Sequence, residues 1–113
     1  MYQLTNLDNS PKQSITMILD DNTRVVFTFT YKPQQMGWFF GFIYGDTNCQ
    51  NIRLTTSYNI LRAYRNWLPF GLRCDTVDDD EPLDQNDFIN GYANVYLLTK
   101  SDVQAIEGNY YVR

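Results

Sequence analysis

The strongest constraint on this chain is a pair of neighbouring runs, RVVFTFTY (24–31) and WFFGFIY (38–44). In the first run Val25, Phe27, Phe29 and Tyr31 alternate with Arg24, Val26, Thr28 and Thr30. A period of two puts the aromatics on one face of a strand and spreads them round a helix, so the run reads as a strand. The connector KPQQMG carries a proline and a glycine and closes a hairpin. The second run sets Trp38, Phe40, Phe42 and Tyr44 on one face and Phe39, Gly41 and Ile43 on the other. Both faces are nearly apolar, which is expected of an interior strand or of one covered by another subunit. Gly41 leaves a gap suited to a bend or a close backbone approach.

Shorter elements flank this hairpin. SITMIL (14–19) reads as a strand, joined to the first run through DDNT (20–23), whose Asp and Asn tolerate left-handed backbone. GDTNCQN (45–51) reads as a loop and IRLTT (52–56) as a brief strand. NILRAYRNW (59–67) is the expected helix: Asn59 caps it, and Ile60, Ala63, Tyr64 and Trp67 share one face opposite Arg62, Arg65 and Asn66. LRCDT (72–76) and YANVYLLTK (92–100) are strands, SDVQAIEG is a single helical turn stopped by Gly108, and NYYVR is a tail pairing as an edge strand. The expected architecture is all-β, a small barrel-like or sandwich domain of antiparallel strands with one short α-helix. Residues 1–113 are read as one domain, with 1–13 an extended lead-in and 101–113 a C-terminal tail.

Composition narrows the chemistry. Aromatics make up 16% of the 113 residues, so the chain has the material for one packed core. It has no histidine, which removes the commonest general base and metal ligand and any histidine-centred triad. Cys49 and Cys74 are too few for a disulfide scaffold, and free thiols fit a reducing cytoplasm. No apolar run reaches the roughly 18 residues of a membrane span, so no membrane association is expected. The opening MYQLTNLDNSPKQ lacks the basic-then-apolar order of a secretory signal; the chain is expected to be soluble and made in the cytoplasm.

Three features are candidates for function. The segment 75–87 carries Asp75, Asp78, Asp79, Asp80, Glu81, Asp84 and Asp87 and no basic residue. A hard cation would use such carboxylates, but the EF-hand spacing is absent, and a solvated, self-repelling loop is the plainer reading. A carboxylate pair for glycoside hydrolysis has no pocket to fix it. The stretch LRAYRNWLPFG (61–71) sets Arg62 and Arg65 among Tyr64, Trp67 and Phe70. It reads as core aromatics with exposed arginines, as a protein interface, or as a stacking platform for single-stranded nucleic acid. Nucleic acid is the weaker case, because the net charge is −4 and the basic residues form no strong stripe. Cys49 and Cys74 have no histidine beside them and read as structural. No cofactor, metal or catalytic residue is expected.

The order of features carries a resemblance. QLTNLDNSPKQSITMIL leads in, GWFFGFIYGD forms the second hairpin strand, IRLTTSYNILRAYRNWLPFGLRC follows, and an acidic loop precedes NVYLLTK. Over about residues 3–100 the chain resembles the small plug family of contractile-tailed phage baseplates, first defined on a cyanophage. Gly37 and Trp38 match the family's hairpin, and Leu61, Tyr64, Arg65 and Gly71 its leucine-rich segment and glycine turn. The chain departs from the family in carrying LPFG where a glycine-rich turn is usual, and in its tail beyond Lys100. The resemblance implies a structural, non-enzymatic virion protein, made in the host bacterial cytoplasm and housed in the tail baseplate. It further implies a plug that closes or organises the tube end before the sheath contracts, with hub, spike or tube-end proteins as partners and three-fold-related copies. The partner-contact residues expected are Arg62, Tyr64, Arg65, Trp67, Phe70, Trp38 and Phe39, with Asp78, Asp79, Asp80 and Glu81 forming an acidic loop. The alternative is a small-barrel module that binds single-stranded nucleic acid.

Overall fold

The computed structural model describes residues 2–5, 7–19, 22–64, 67–78 and 80–111, with side chains described only as far as residue 106. Its strands are β1 (Tyr2–Gln3), β2 (Lys12–Ile18), β3 (Arg24–Lys32), β4 (Gly37–Tyr44), β5 (Thr47–Arg53), β6 (Gly71–Thr76) and β7 (Ala93–Leu98); a helix, α1 (Lys100–Tyr111), follows. They form two antiparallel sheets, one ordered β2-β3-β4-β5 and the other β1-β7-β6. Neither sheet closes on itself, so of the two architectures expected the structure is the sandwich.

The alternation in the aromatic runs sets the core. Val25, Phe27 and Phe29 of β3 pair across the ladder with Tyr44, Phe42 and Phe40 of β4. All but Tyr44 are buried, and they share one cluster with Leu72 and Cys74 of β6 and Val95 and Leu97 of β7. β4 lies between β3 and β5, as expected of a strand apolar on both faces. Gly41 is crowded: a Cβ there would lie 2.7 Å from the backbone oxygen of Cys49, beside a bulge in the β4–β5 ladder. Both cysteines are free.

Three local expectations are corrected. β5 begins at Thr47, because Gly45 takes φ 57° in the tight turn that links Tyr44 to its partner Thr47. The segment 59–67 forms no α-helix among its described residues; it holds a 3-10 turn at Arg62–Tyr64. The chain entering it is tied to β6: Ser57 and Cys74 exchange both backbone bonds, and the Ile60 N–H donates to Leu72 O at 2.7 Å. The α-helix lies instead at Lys100–Tyr111, runs through Gly108, and includes the Asn109–Tyr111 tail that was expected to pair as a strand. A reciprocal cap starts it. The Thr99 N–H donates to Asp102 Oδ2 at 3.1 Å and the Asp102 N–H donates to Thr99 Oγ1 at 3.2 Å. Buried Val103 anchors its first turn.

Candidate partner interface

The segment after β5 is laced along β6, and this decides which of its side chains face outward. Asn59 is the bracket. It is 4% exposed, and its Oδ1 accepts the N–H of Leu61 at 3.1 Å and of Leu72 at 3.2 Å. A Cβ on Gly71 would lie 2.5 Å from that oxygen, so the approach requires glycine. Beyond the bracket the 3-10 turn reverses the chain, and the Tyr64 carbonyl accepts the N–H groups of Trp67 at 2.9 Å and Leu68 at 3.0 Å.

The turn displays one large ring on a supporting stack. Trp67 is 80% exposed, the most exposed of the large apolar side chains described. Its ring lies 6.3 Å from half-buried Tyr64, which meets Phe42 edge-on at 6.4 Å. Phe70 lies beneath, edge-on to Phe27, Phe42 and Tyr44 at 5.4–6.0 Å. The expectation that Trp67 turns inward on a helical face is thereby corrected: with no helix, its position no longer follows that of Ile60. Trp38 and Phe70, expected at a contact, are fully buried: Phe70 packs beneath the turn, and Trp38 packs against Tyr31 and Phe88 and holds Asp84 O of the acidic loop. Arg62 is half-buried. Arg65 lies outside the described residues.

Phe39 sits on the opposite sheet face. Its ring is flanked by Lys32 Nζ at 4.6 Å and the Arg53 guanidinium at 5.4 Å. Lys32 also donates to Asn51 Oδ1 at 2.9 Å, and Arg53 to Gln35 O at 3.4 Å and Met36 O at 3.3 Å. This cationic stack reaches the acidic loop through an Arg53–Glu81 ion pair at 3.4 Å.

The acidic loop is anchored, although its exposed carboxylates match a solvated reading. The Asp80 carbonyl accepts the hydroxyls of Thr76 at 2.6 Å and Thr56 at 3.1 Å. Tyr31 donates to Leu83 O at 2.8 Å and Trp38 Nε1 to Asp84 O at 3.2 Å. Core aromatics thus hold the loop backbone, which frees the side chains of Asp78, Asp80 and Glu81 to face solvent. Asp79 lies outside the described residues. Asp87 is the inward member: it is 6% exposed, its Oδ2 accepts the Asp84 N–H at 3.0 Å, and burial raises its carboxyl above the usual range. With Asp80, Glu81, Asp84 and Tyr92 it lines an open cleft of about 490 Å³. Among the described residues no three metal-ligating side chains converge. The thiol of Cys74 is pushed up to about 12, first by burial and then by the charges of Asp75 and Asp87, so it is protonated at neutral pH.

Sequence reasoning missed a second displayed aromatic. Tyr58 is 60% exposed and lies under the Arg73 guanidinium at 4.9 Å, while Arg73 donates to Asp75 Oδ1 at 3.1 Å. The alternation Arg73-Cys74-Asp75 within a strand was the available signal, since it places the two charges on one face.

With this geometry in hand, residues 1–100 match the family model described as cyanophage baseplate Pam3 plug gp18. The chain belongs to this baseplate plug family. No curated protein gives a match. The match spans all seven strands, the turn and the acidic loop of this chain and ends where α1 begins. Membership makes the chain a structural protein of the phage virion, located in the tail baseplate among other baseplate components. No helix among the described residues is long and apolar enough to cross a membrane.

Proposed function

We propose that this plug-family protein closes or organises the tube end of a contractile tail by docking on the central hub through its displayed aromatics, with no catalytic step. The family match over residues 1–100 carries the reading. The surface supports it: Trp67 is presented on a rigid aromatic stack, and aromatic and arginine anchors supply most binding energy at protein interfaces. The proposed contact set is Trp67, Tyr64 and Arg62 at the turn, with Arg65 beside them in sequence, and Phe39 on the sheet face. Phe70 acts from below the turn, and Trp38 acts by holding the acidic-loop backbone at Asp84. Copies related by three-fold symmetry fit a site on the tail axis. The test is mass spectrometry of purified intact tails, with copy number scaled to the hub protein. A low multiple of three per tail is expected; complete absence from tails overturns the reading.

A further inference from the structure

We infer that the outer edge of β2 is an acceptor for an extended segment of another baseplate protein, which pairs with it as a fifth strand of the β2-β3-β4-β5 sheet. The inference rests on the chain's place in the baseplate and goes beyond it to a mode of attachment.

The hydrogen-bond parity of β2 is fixed at both of its ends. The Tyr31 N–H donates to Pro11 O at 2.8 Å, and the Leu19 N–H donates to Thr23 O at 2.8 Å. Between them the register runs without a slip from Lys12↔Thr30 to Ile18↔Arg24. In an antiparallel ladder alternate residues turn their backbone groups to opposite sides, so odd-numbered residues of β2 bond to β3. The N–H and C=O groups of Lys12, Ser14, Thr16 and Ile18 therefore point away from the sheet. β2 is the terminal strand there, and these residues are exposed.

Folded proteins usually blunt such an edge with proline, a bulge or charge. The other edge of the same sheet is blunted: the β4–β5 ladder slips between Phe40 and Phe42, and Asn51 takes φ 61°. β2 pairs with β3 without a bulge, and it carries no proline and a single charge, Lys12, at its first position. On its inner side Ile15 and Met17 join the core cluster yet stay half-buried, because no strand flanks them. An added strand completes both shortages: it pairs the free backbone groups and covers these two side chains. The fitting segment is extended, free of proline at the pairing positions, and alternates apolar residues inward with polar residues outward. A second copy of this chain is the weaker occupant. Two seven-residue edges pairing alone bury far less than the roughly 1,200 Å² a stable dimer needs. An arm tethered elsewhere in the baseplate gains the remainder from its own attachment.

Amide hydrogen exchange, read residue by residue, tests this on the isolated full chain and on intact tails. In the dilute isolated chain the amides of Ser14, Thr16 and Ile18 should exchange freely while those of Ile15, Met17 and Leu19 are protected. In tails the even-numbered set should slow at least about tenfold. Protection of the even set in the dilute chain, or its free exchange in tails that contain the protein, overturns the inference and leaves the baseplate reading standing. Protection that appears in the isolated chain only as its concentration rises also overturns it, in favour of self-pairing. Absence of the protein from tails removes both readings. As a second probe, Thr16→Pro deletes an outward N–H and no ladder bond, so the variant should fold by circular dichroism and be lost from tails. A folded Thr16→Pro chain that enters tails at the normal copy number counts against the added strand.

Discussion

At the scale of single residues, Trp67 and Phe70 separate contact from support, although they sit three positions apart in one aromatic stretch. Trp67 is 80% exposed and Phe70 fully buried among Phe27, Phe42 and Tyr44. Phe70→Ala should cost about 3–5 kcal/mol of stability, the usual result of emptying a packed aromatic site. Trp67→Ala should stay within about 0.5 kcal/mol of the parent, because its ring meets mostly water in the isolated chain. Denaturant melts of the two variants check this, and equal losses would mean that Trp67 is packed. In tails the order reverses in meaning: a folded Trp67→Ala chain should be under-represented. Asp87 gives a pH-dependent case. Burial raises its folded pKa, so folding favours the protonated form. That contribution is complete below the unfolded pKa near 3.8 and is lost as pH rises through the folded value. At neutral pH the ionised group is therefore a liability in a loop rich in other carboxylates. Asp87→Asn, which keeps an oxygen for the Asp84 N–H, should melt higher than the parent at pH 7, and the gain should shrink towards pH 3. A melting temperature that falls on substitution at pH 7 would contradict the sign.

At the scale of elements, strands were far more legible than helices. The aromatic runs announced β3 and β4 with their inward faces because a period of two repeated over several residues has few alternative meanings. The helix at 59–67 was expected from an equally regular spacing, yet the Ile60 N–H is drawn to Leu72 O and the expected cap, Asn59, spends its side-chain oxygen bridging to the Leu72 N–H. Spacing reports which residues turn inward and says nothing of where the backbone bonds go. For α1 the reverse holds. Its face is weakly patterned, but TKSD at 99–102 spells a reciprocal cap, and the cap rather than the pattern was the signal. Thr99→Ala should cost about 1 kcal/mol and loosen the first turn of α1 while the sheets persist. Faster exchange confined to the first turn of α1 is the expected readout. Equal loosening of β6 and β7 would show that α1 and the sandwich unfold as one unit. The candidate contacts were legible only as residue types: the sequence named Trp67 and Phe39, but the exposure of the one and the Lys32 and Arg53 flanking of the other depend on tertiary arrangement that no local pattern encodes.

At the scale of the whole molecule, displayed aromatics lie beside charge. Phe39 is flanked by Lys32 and Arg53, while the acidic loop runs beside it and is tied in through an Arg53–Glu81 pair. Much of the loop's anchoring is independent of the Asp78 and Asp80 side chains, since Thr56, Thr76, Tyr31 and Trp38 all bind its backbone carbonyls. This separates two roles that substitutions usually confuse. Changing Asp78, Asp79 and Asp80 to Asn should leave the melting temperature within about 2 °C of the parent, because Asp78 and Asp80 are exposed and the backbone pinning bonds are kept. Assembly should respond differently. Surface charge acts chiefly on the rate and selectivity of association, and its effect is screened by salt. The neutralised chain should therefore enter tails more slowly or less selectively at low ionic strength, and should differ little from the parent at about 0.5 M salt, where the screening length is only a few ångströms. Incorporation from a mixture of parent and variant, quantified by mass spectrometry of tails assembled at both salt concentrations, reads the difference directly. A variant that competes equally at low salt would remove the acidic loop from the docking step and leave the contact to the aromatic turn and the sheet.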